Sequence, residues 1–261
     1  IAFDIYVANW RFSIHNRLAV LQNPVDDLAL SNVARYDRIQ NSIGVTAVGD
    51  YNDLKVVLGY DFFNIWTLSD DFDYIDRAEH QVFGAVSLDV SPSHRVGFDL
   101  STSIFDYDQS YNNDGHTFSG GPFWEMTLSN YLKVRLAGGG QFMLFGSGGE
   151  SGDDEDLRSW YFNATIAHRM NAYWTHSLSF GREGRLGLAT NFQIYDYIRY
   201  FTVWRINSKL SLSIEGFAEA ADESDAELGS EDSWRWGIAL GTGWQLNKRM
   251  NIGLGYRFTN K

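Results

Sequence analysis

The chain has 261 residues, no cysteine, 3 prolines, 25 glycines, 16% aromatic residues and a formal net charge of -12. The lack of cysteine excludes disulfides and thiolate metal sites, and the acidic balance argues against nucleic acid as a partner. No apolar run reaches the roughly 18 residues that a spanning helix needs, yet a mean hydropathy of -0.28 leaves room for a β-barrel, in which only alternate residues meet lipid.

Taken in chain order, the segments alternate with a period of two. The first, Phe3 to Val20, reads as one long strand or as two split near Asn9. Leu54, Val56, Leu58, Tyr60 and Phe62 then alternate with Lys55, Val57, Gly59 and Asp61. The same pattern holds at Val96, Phe98 and Leu100, and again at Trp160, Phe162, Ala164 and Ile166. From Leu188 to Ile206 the alternation changes near Ile194 and Tyr195, which predicts a bulge. Leu210, Leu212 and Ile214 follow, then Trp236, Ile238, Leu240 and Trp244. Met250, Ile252, Leu254, Tyr256 and Phe258 complete the series, and helical spacing is hard to find anywhere.

Two kinds of connection take turns. Short ones carry turn residues and are marked by Asn52, Ser93, Asn130, Asn171, Asn207 and Asn247. Long ones are mostly acidic: 23–32, 69–79, 105–121, 146–157 and 221–232, with a short, non-acidic member near Gly184 and Arg185. Short turns at one end and long loops at the other are the layout of an outer-membrane barrel, with the turns in the periplasm and the loops outside. Tyr51, Tyr131, Trp174, Trp204 and Trp244 lie beside the short turns, while Trp66, Trp160, Trp234 and Trp236 lie near the long loops. Two such bands match the two membrane interfaces.

With the apolar residues toward lipid, the other face is rich in charge. The cations expected to line the lumen are Arg11, Arg17, Arg38, Lys55, Lys133, Arg135, Arg169, Arg199, Arg205, Arg235 and Arg257. The acids are Asp61, Asp89, Asp99, Glu125 and Glu215. Rings of Arg or Lys favour anion passage; alternatively these groups pair and fill the barrel. Asp153, Asp154 and Asp156 are candidate Ca²⁺ ligands, but a solvated acidic loop is the commoner role of such a run, and no metal site is expected. The six histidines show no Ser-His-Asp spacing, so neither a catalytic residue nor a cofactor is expected.

Asn251 to Phe258, reading N-I-G-L-G-Y-R-F, resembles the assembly signal that ends the last strand of outer-membrane proteins. With 205–220 and 245–261, it makes the chain similar to the porin-like β-barrel families of Gram-negative bacteria. That resemblance implies a single antiparallel, up-and-down transmembrane barrel domain over residues 1–261, located in the bacterial outer membrane. It implies contact with lipid and lipopolysaccharide, and a channel for small polar solutes. A barrel with a filled lumen that anchors a partner complex is the alternative, and homo-oligomers are compatible with either. Counting from the six short turns gives thirteen strands, where an even number is normal. Splitting the first segment near Asn9 restores an even count but sets the acidic loops in the periplasm. The simpler expectation is a fourteenth, closing strand beyond Lys261.

Overall fold

The computed structural model describes residues 2–21, 37–224, 233–247 and 250–261. The acidic connection 23–32, most of 221–232, and Lys248 and Arg249 lie outside them. Fourteen strands form one continuous sheet, each antiparallel to its sequence neighbours. They are β1 (Ala2–Val7), β2 (Trp10–Leu21), β3 (Arg38–Tyr51), β4 (Leu54–Thr67), β5 (Arg77–Ser91), β6 (His94–Tyr107) and β7 (Gly115–Ser129). Then come β8 (Leu132–Phe145), β9 (Leu157–Arg169), β10 (Trp174–Leu186), β11 (Phe192–Arg205), β12 (Leu210–Glu223), β13 (Ser233–Asn247) and β14 (Met250–Asn260). No ladder joins β1 to β14 among the described residues.

The total of fourteen strands is as expected, but all fourteen lie within the described residues and none needs to be sought beyond Lys261. The first segment is a hairpin, with Val7 opposite Trp10, so the fourteenth strand lies at the start of the chain. Its loop is only Ala8 and Asn9, and Ala8 takes φ 50, the left-handed backbone that tight hairpins demand. Alanine is an uncommon residue there, which hid the turn. A parity change betrays it: Phe3, Ile5 and Val7 face outward on β1, and Trp10, Phe12 and Ile14 do so on β2. Both Ala2 and Asn260 therefore stand at the long-loop end.

A second expectation also changes. β11 keeps unbroken register with β10 and β12, so no bulge occurs at Ile194 and Tyr195. Instead, Asp196 projects to the outer face, where its cross-strand partner Arg182 neutralises it at 2.7 Å. A charge that finds a partner across the ladder removes the reason to slip. The register shifts that do occur lie beside short turns, at Asp89/Ser91, Thr127/Ser129 and Gln245/Asn247.

The outer face carries the exposed apolar side chains, from Phe3 on β1 to Leu254, 74% exposed, on β14. The other face is the inner one, because side chains from strands that are not neighbours meet there. Tyr161 of β9 reaches Asp99 of β6, and Gln141 of β8 reaches Gly184 of β10. Glycines on this face admit rings from the next strand: a Cβ on Gly59 would stand 2.1 Å from the Phe83 ring, and one on Gly97 2.3 Å from Phe123. Near Pro122, which has no N–H to give, β7 and β8 approach closely. A Cβ on Gly139 would stand 2.0 Å from the Gly120 carbonyl oxygen. Backbone cannot step aside as a side chain can, so Gly139→Ala is expected to cost roughly 1–3 kcal/mol, read as a lower urea midpoint of unfolding.

Candidate functional site

The inner face gathers charge into two networks. In the first, Arg95 grips Asp89 with two bonds, at 2.6 and 2.9 Å, and lies 3.7 Å from Glu125. Glu125 also pairs with Arg135, which reaches Asp99 at 3.7 Å. Tyr161 donates to Asp99 at 2.9 Å, and the Arg135 guanidinium lies 4.4 Å from the centre of the Phe123 ring. In the second, the buried Glu219 accepts from Arg199 at 2.8 Å and from Arg235 at 2.6 Å, while Arg199 donates to the Tyr195 hydroxyl at 3.0 Å. Arg257 approaches Glu215 at 3.5 Å, and His15 approaches Asp61 at 2.9 Å.

Ladder parity sets Arg11, Arg17, Arg38, Lys55, Lys133, Arg169 and Arg205 on the same inner face, all but Arg17 and Arg38 close to the short turns. Tyr51, Trp174, Trp204, Trp244, Trp66, Trp160, Trp234 and Trp236 project to the outer face and Tyr131 stands in a turn, all of them exposed. Sequence reading missed Arg95, Glu219, Tyr161 and Tyr195. Parity could have found them, because Arg95 is four residues before Asp99 and Glu219 four after Glu215, and even spacing keeps a residue on its face. It also missed Trp10, which packs edge-on to Tyr51 at 6.1 Å, because Trp10 was placed inside one long strand.

At the long-loop end the connections fold over the mouth. The turns 68–76 and 187–191 are separated by six strands of the sheet, yet Ile75 and Leu188 form one buried cluster with Phe72 and Tyr74. Asn112 donates to the carbonyls of both Tyr74 and Leu188, each at 3.0 Å. Asp153, 0% exposed, knots the remaining loops together. Its carboxylate accepts from the Asn191 N–H at 2.7 Å and the Ser224 hydroxyl at 2.6 Å, and its carbonyl accepts from Asn113 at 2.6 Å. Gly152, at φ 71, supplies the left-handed step just before it. Of the candidate Ca²⁺ ligands, Asp153 is thus occupied by protein donors, Asp156 accepts from the Phe145 N–H at 3.0 Å, and Asp154 is exposed. Between the roof and the middle of the barrel lies a polar cavity of about 390 Å³ touched by Arg77, Ser103, Gln141, Tyr195 and Arg235.

Two outcomes follow from the roof. Asp153→Ala leaves the buried Asn191 N–H unpaired, at roughly 1–3 kcal/mol, and leaves the Ser224 hydroxyl with only its longer bond to the Phe192 carbonyl. Limited proteolysis should then cut the 146–156 loop faster, with the strands intact. Asp76, next to this roof, accepts from the Thr67 N–H at 2.6 Å. Burial holds its carboxyl above the usual 3.8, and Asp108 and Asp73 push the same way. A raised folded value means that its contribution is present below 3.8 and is lost as pH rises through the folded value. Asp76→Asn should therefore raise the unfolding midpoint at pH 7 and leave it unchanged at pH 3.

No family model matches the chain, and neither does any curated protein. Solved structures do. The alcaligin outer-membrane receptor FauA of Bordetella pertussis aligns with a TM-score of 0.56 and 13% identity, over 96% of this chain and 50% of that one. The FrpB iron transporter of Neisseria meningitidis aligns with a TM-score of 0.59 and 8% identity, over 96% and 49%. The chain spans about half the length of these structures, and at such identities the likeness is one of fold. It has the all-antiparallel architecture of bacterial outer-membrane β-barrel proteins, and its apolar outer face places it in that membrane.

Proposed function

We propose that the chain works as a porin-like channel for small polar solutes, with a preference for anions, held shut at its long-loop end by the Asp153 roof. The observation that carries this reading is how charge is sorted along the inner face. Some cations of the inner face are neutralised by acids, as Arg199 and Arg235 are by Glu219 and Arg95 is by Asp89. At the short-turn end Lys133, Arg169 and Arg205 have no ion pair among the described residues. Unpaired cations around a mouth attract anions and repel cations. In this reading the short turns face the periplasm, as they do in outer-membrane barrels, although the hairpin at Ala8 and Asn9 sets Ala2 and Asn260 at the long-loop end. It includes no catalytic step.

A second reading, a scaffolding barrel with a filled lumen, draws support from the Asp89–Arg95–Glu125–Arg135–Asp99 network, which occupies the inner face with its own side chains. Planar-bilayer recordings separate the two. The channel reading expects little conductance from the wild-type protein and stable steps from Asp153→Ala. Under a salt gradient, Arg135→Glu and Arg205→Glu added to that variant should move the reversal potential toward cation preference. Folded, inserted Asp153→Ala that stays silent would sink the channel and leave the scaffold.

A further inference from the structure

The short-turn end of the β8–β12 sector is free of carboxylates. No Asp or Glu occurs from Met126 to Phe145, from Leu157 to Phe180, or from Tyr197 to Ile214. On the β3–β7 side, by contrast, Asp50, Asp89 and Glu125 stand among the cations. Within the acid-free sector a groove of about 450 Å³ lies between the turns at 130–131 and 170–173. Lys133 and Arg169 line it, along with Tyr131, Thr175, Ser177 and Phe201, and no lining residue is acidic.

Neither Lys133 nor Arg169 has an ion pair among the described residues. The Arg169 guanidinium lies 5.5 Å from the centre of the Tyr131 ring, a contact that holds the planar group in place without neutralising it. The groove thus offers a rigid fork of donors, a mobile ammonium and three hydroxyls, with no competing acceptor charge. A carboxylate would use only part of this set. A phosphoryl group, with three acceptor oxygens and a charge near -2, can use all of it. The groove is also larger than a bare ion requires, so the phosphoryl group arrives on an organic body.

We propose that this groove is a binding site for a phosphoryl group, carried as a phosphomonoester by a phosphorylated solute at the mouth or by a lipid headgroup of the adjoining leaflet. The proposal rests on the anion-leaning reading of the short-turn mouth, but not on conduction through the barrel. The test is calorimetric titration of the intact protein, in uncharged detergent, with glycerol 3-phosphate as probe and glycerol as control. Saturable binding of the phosphate compound alone is expected, weakened at least about tenfold by Lys133→Gln or Arg169→Gln. Arg158→Gln, on β9 near the long loops and outside the groove, should bind as the wild type does. Repeating the titration in nanodiscs separates the sources. Binding lost when phosphatidic acid, whose headgroup is a phosphomonoester, replaces part of the phosphatidylcholine marks a lipid headgroup as occupant, and binding retained marks a solute. Absence of binding in detergent, or equal binding by both groove variants, overturns the proposal. Because the readout is binding, a silent bilayer recording leaves this result standing, and loss of binding leaves the conductance result standing.

Discussion

A backbone N–H or C=O in hydrocarbon has no water to bond, and each one left unpaired costs several kcal/mol. For a chain without a spanning helix, the remedy is a ladder in which every strand satisfies the next. The unbroken order from β1 to β14 is that remedy, and most other features follow from it. Pro122 shows the constraint at its limit. Lacking an N–H, it sits where β7 and β8 approach through glycines, and the ladder resumes at Phe123 opposite Ala137. The two-residue hairpins and the bulges beside the short turns are the local devices that keep register while the sheet curls.

The ladder also dictates two unlike faces. Side chains alternate, so an apolar outer face forces an inner face of equal length that cannot be apolar without an equally apolar core to fill. Here it is filled with charge and with rings seated over glycines. Paired charges are tolerable because each finds its partner one strand away: Asp89 with Arg95, Glu125 with Arg135, Glu219 with Arg235. Arg182 and Asp196 apply the same rule on the outer face, where an isolated charge would be far more costly. The Arg182 guanidinium also lies 5.4 Å from the centre of the Trp160 ring, so the pair is anchored beside the aromatic band near the long loops.

Charge is sorted along the barrel as well as across it. Acids concentrate in the connections at one end, and at the other stand Lys133, Arg169 and Arg205, which form no ion pair among the described residues. The acidic end would repel itself if its carboxylates were all solvated neighbours. Instead one of them, Asp153, is withdrawn from water and spent on the donors of Asn191 and Ser224. Loops that start on opposite sides of the mouth are thereby tied into one layer. The inner face consequently has one end roofed by loops and another that is basic in the β8–β12 sector, a polarity that the net charge of -12 conceals.

Alternation alone determined the strands, their apolar face and the partition of charge, because a period of two is a property of neighbouring residues and needs no knowledge of what lies opposite. Leu54 to Phe62 and Met250 to Phe258 are legible in this way, and so are the aromatic bands, whose position depends only on distance from a turn. The hairpin at Ala8 and Asn9 was written in the parity change between Val7 and Trp10, but alanine in left-handed backbone masked it. What only the tertiary structure decided are the contacts between residues far apart in sequence: Tyr161 on Asp99, Gln141 on Gly184, and Asn113, Asn191 and Ser224 on Asp153. Asp153 stands in a run of four acids, and nothing local distinguishes it from Asp154. Its burial is set by donors that arrive from 38 and 71 residues away, and only the curl of the whole sheet brings them there.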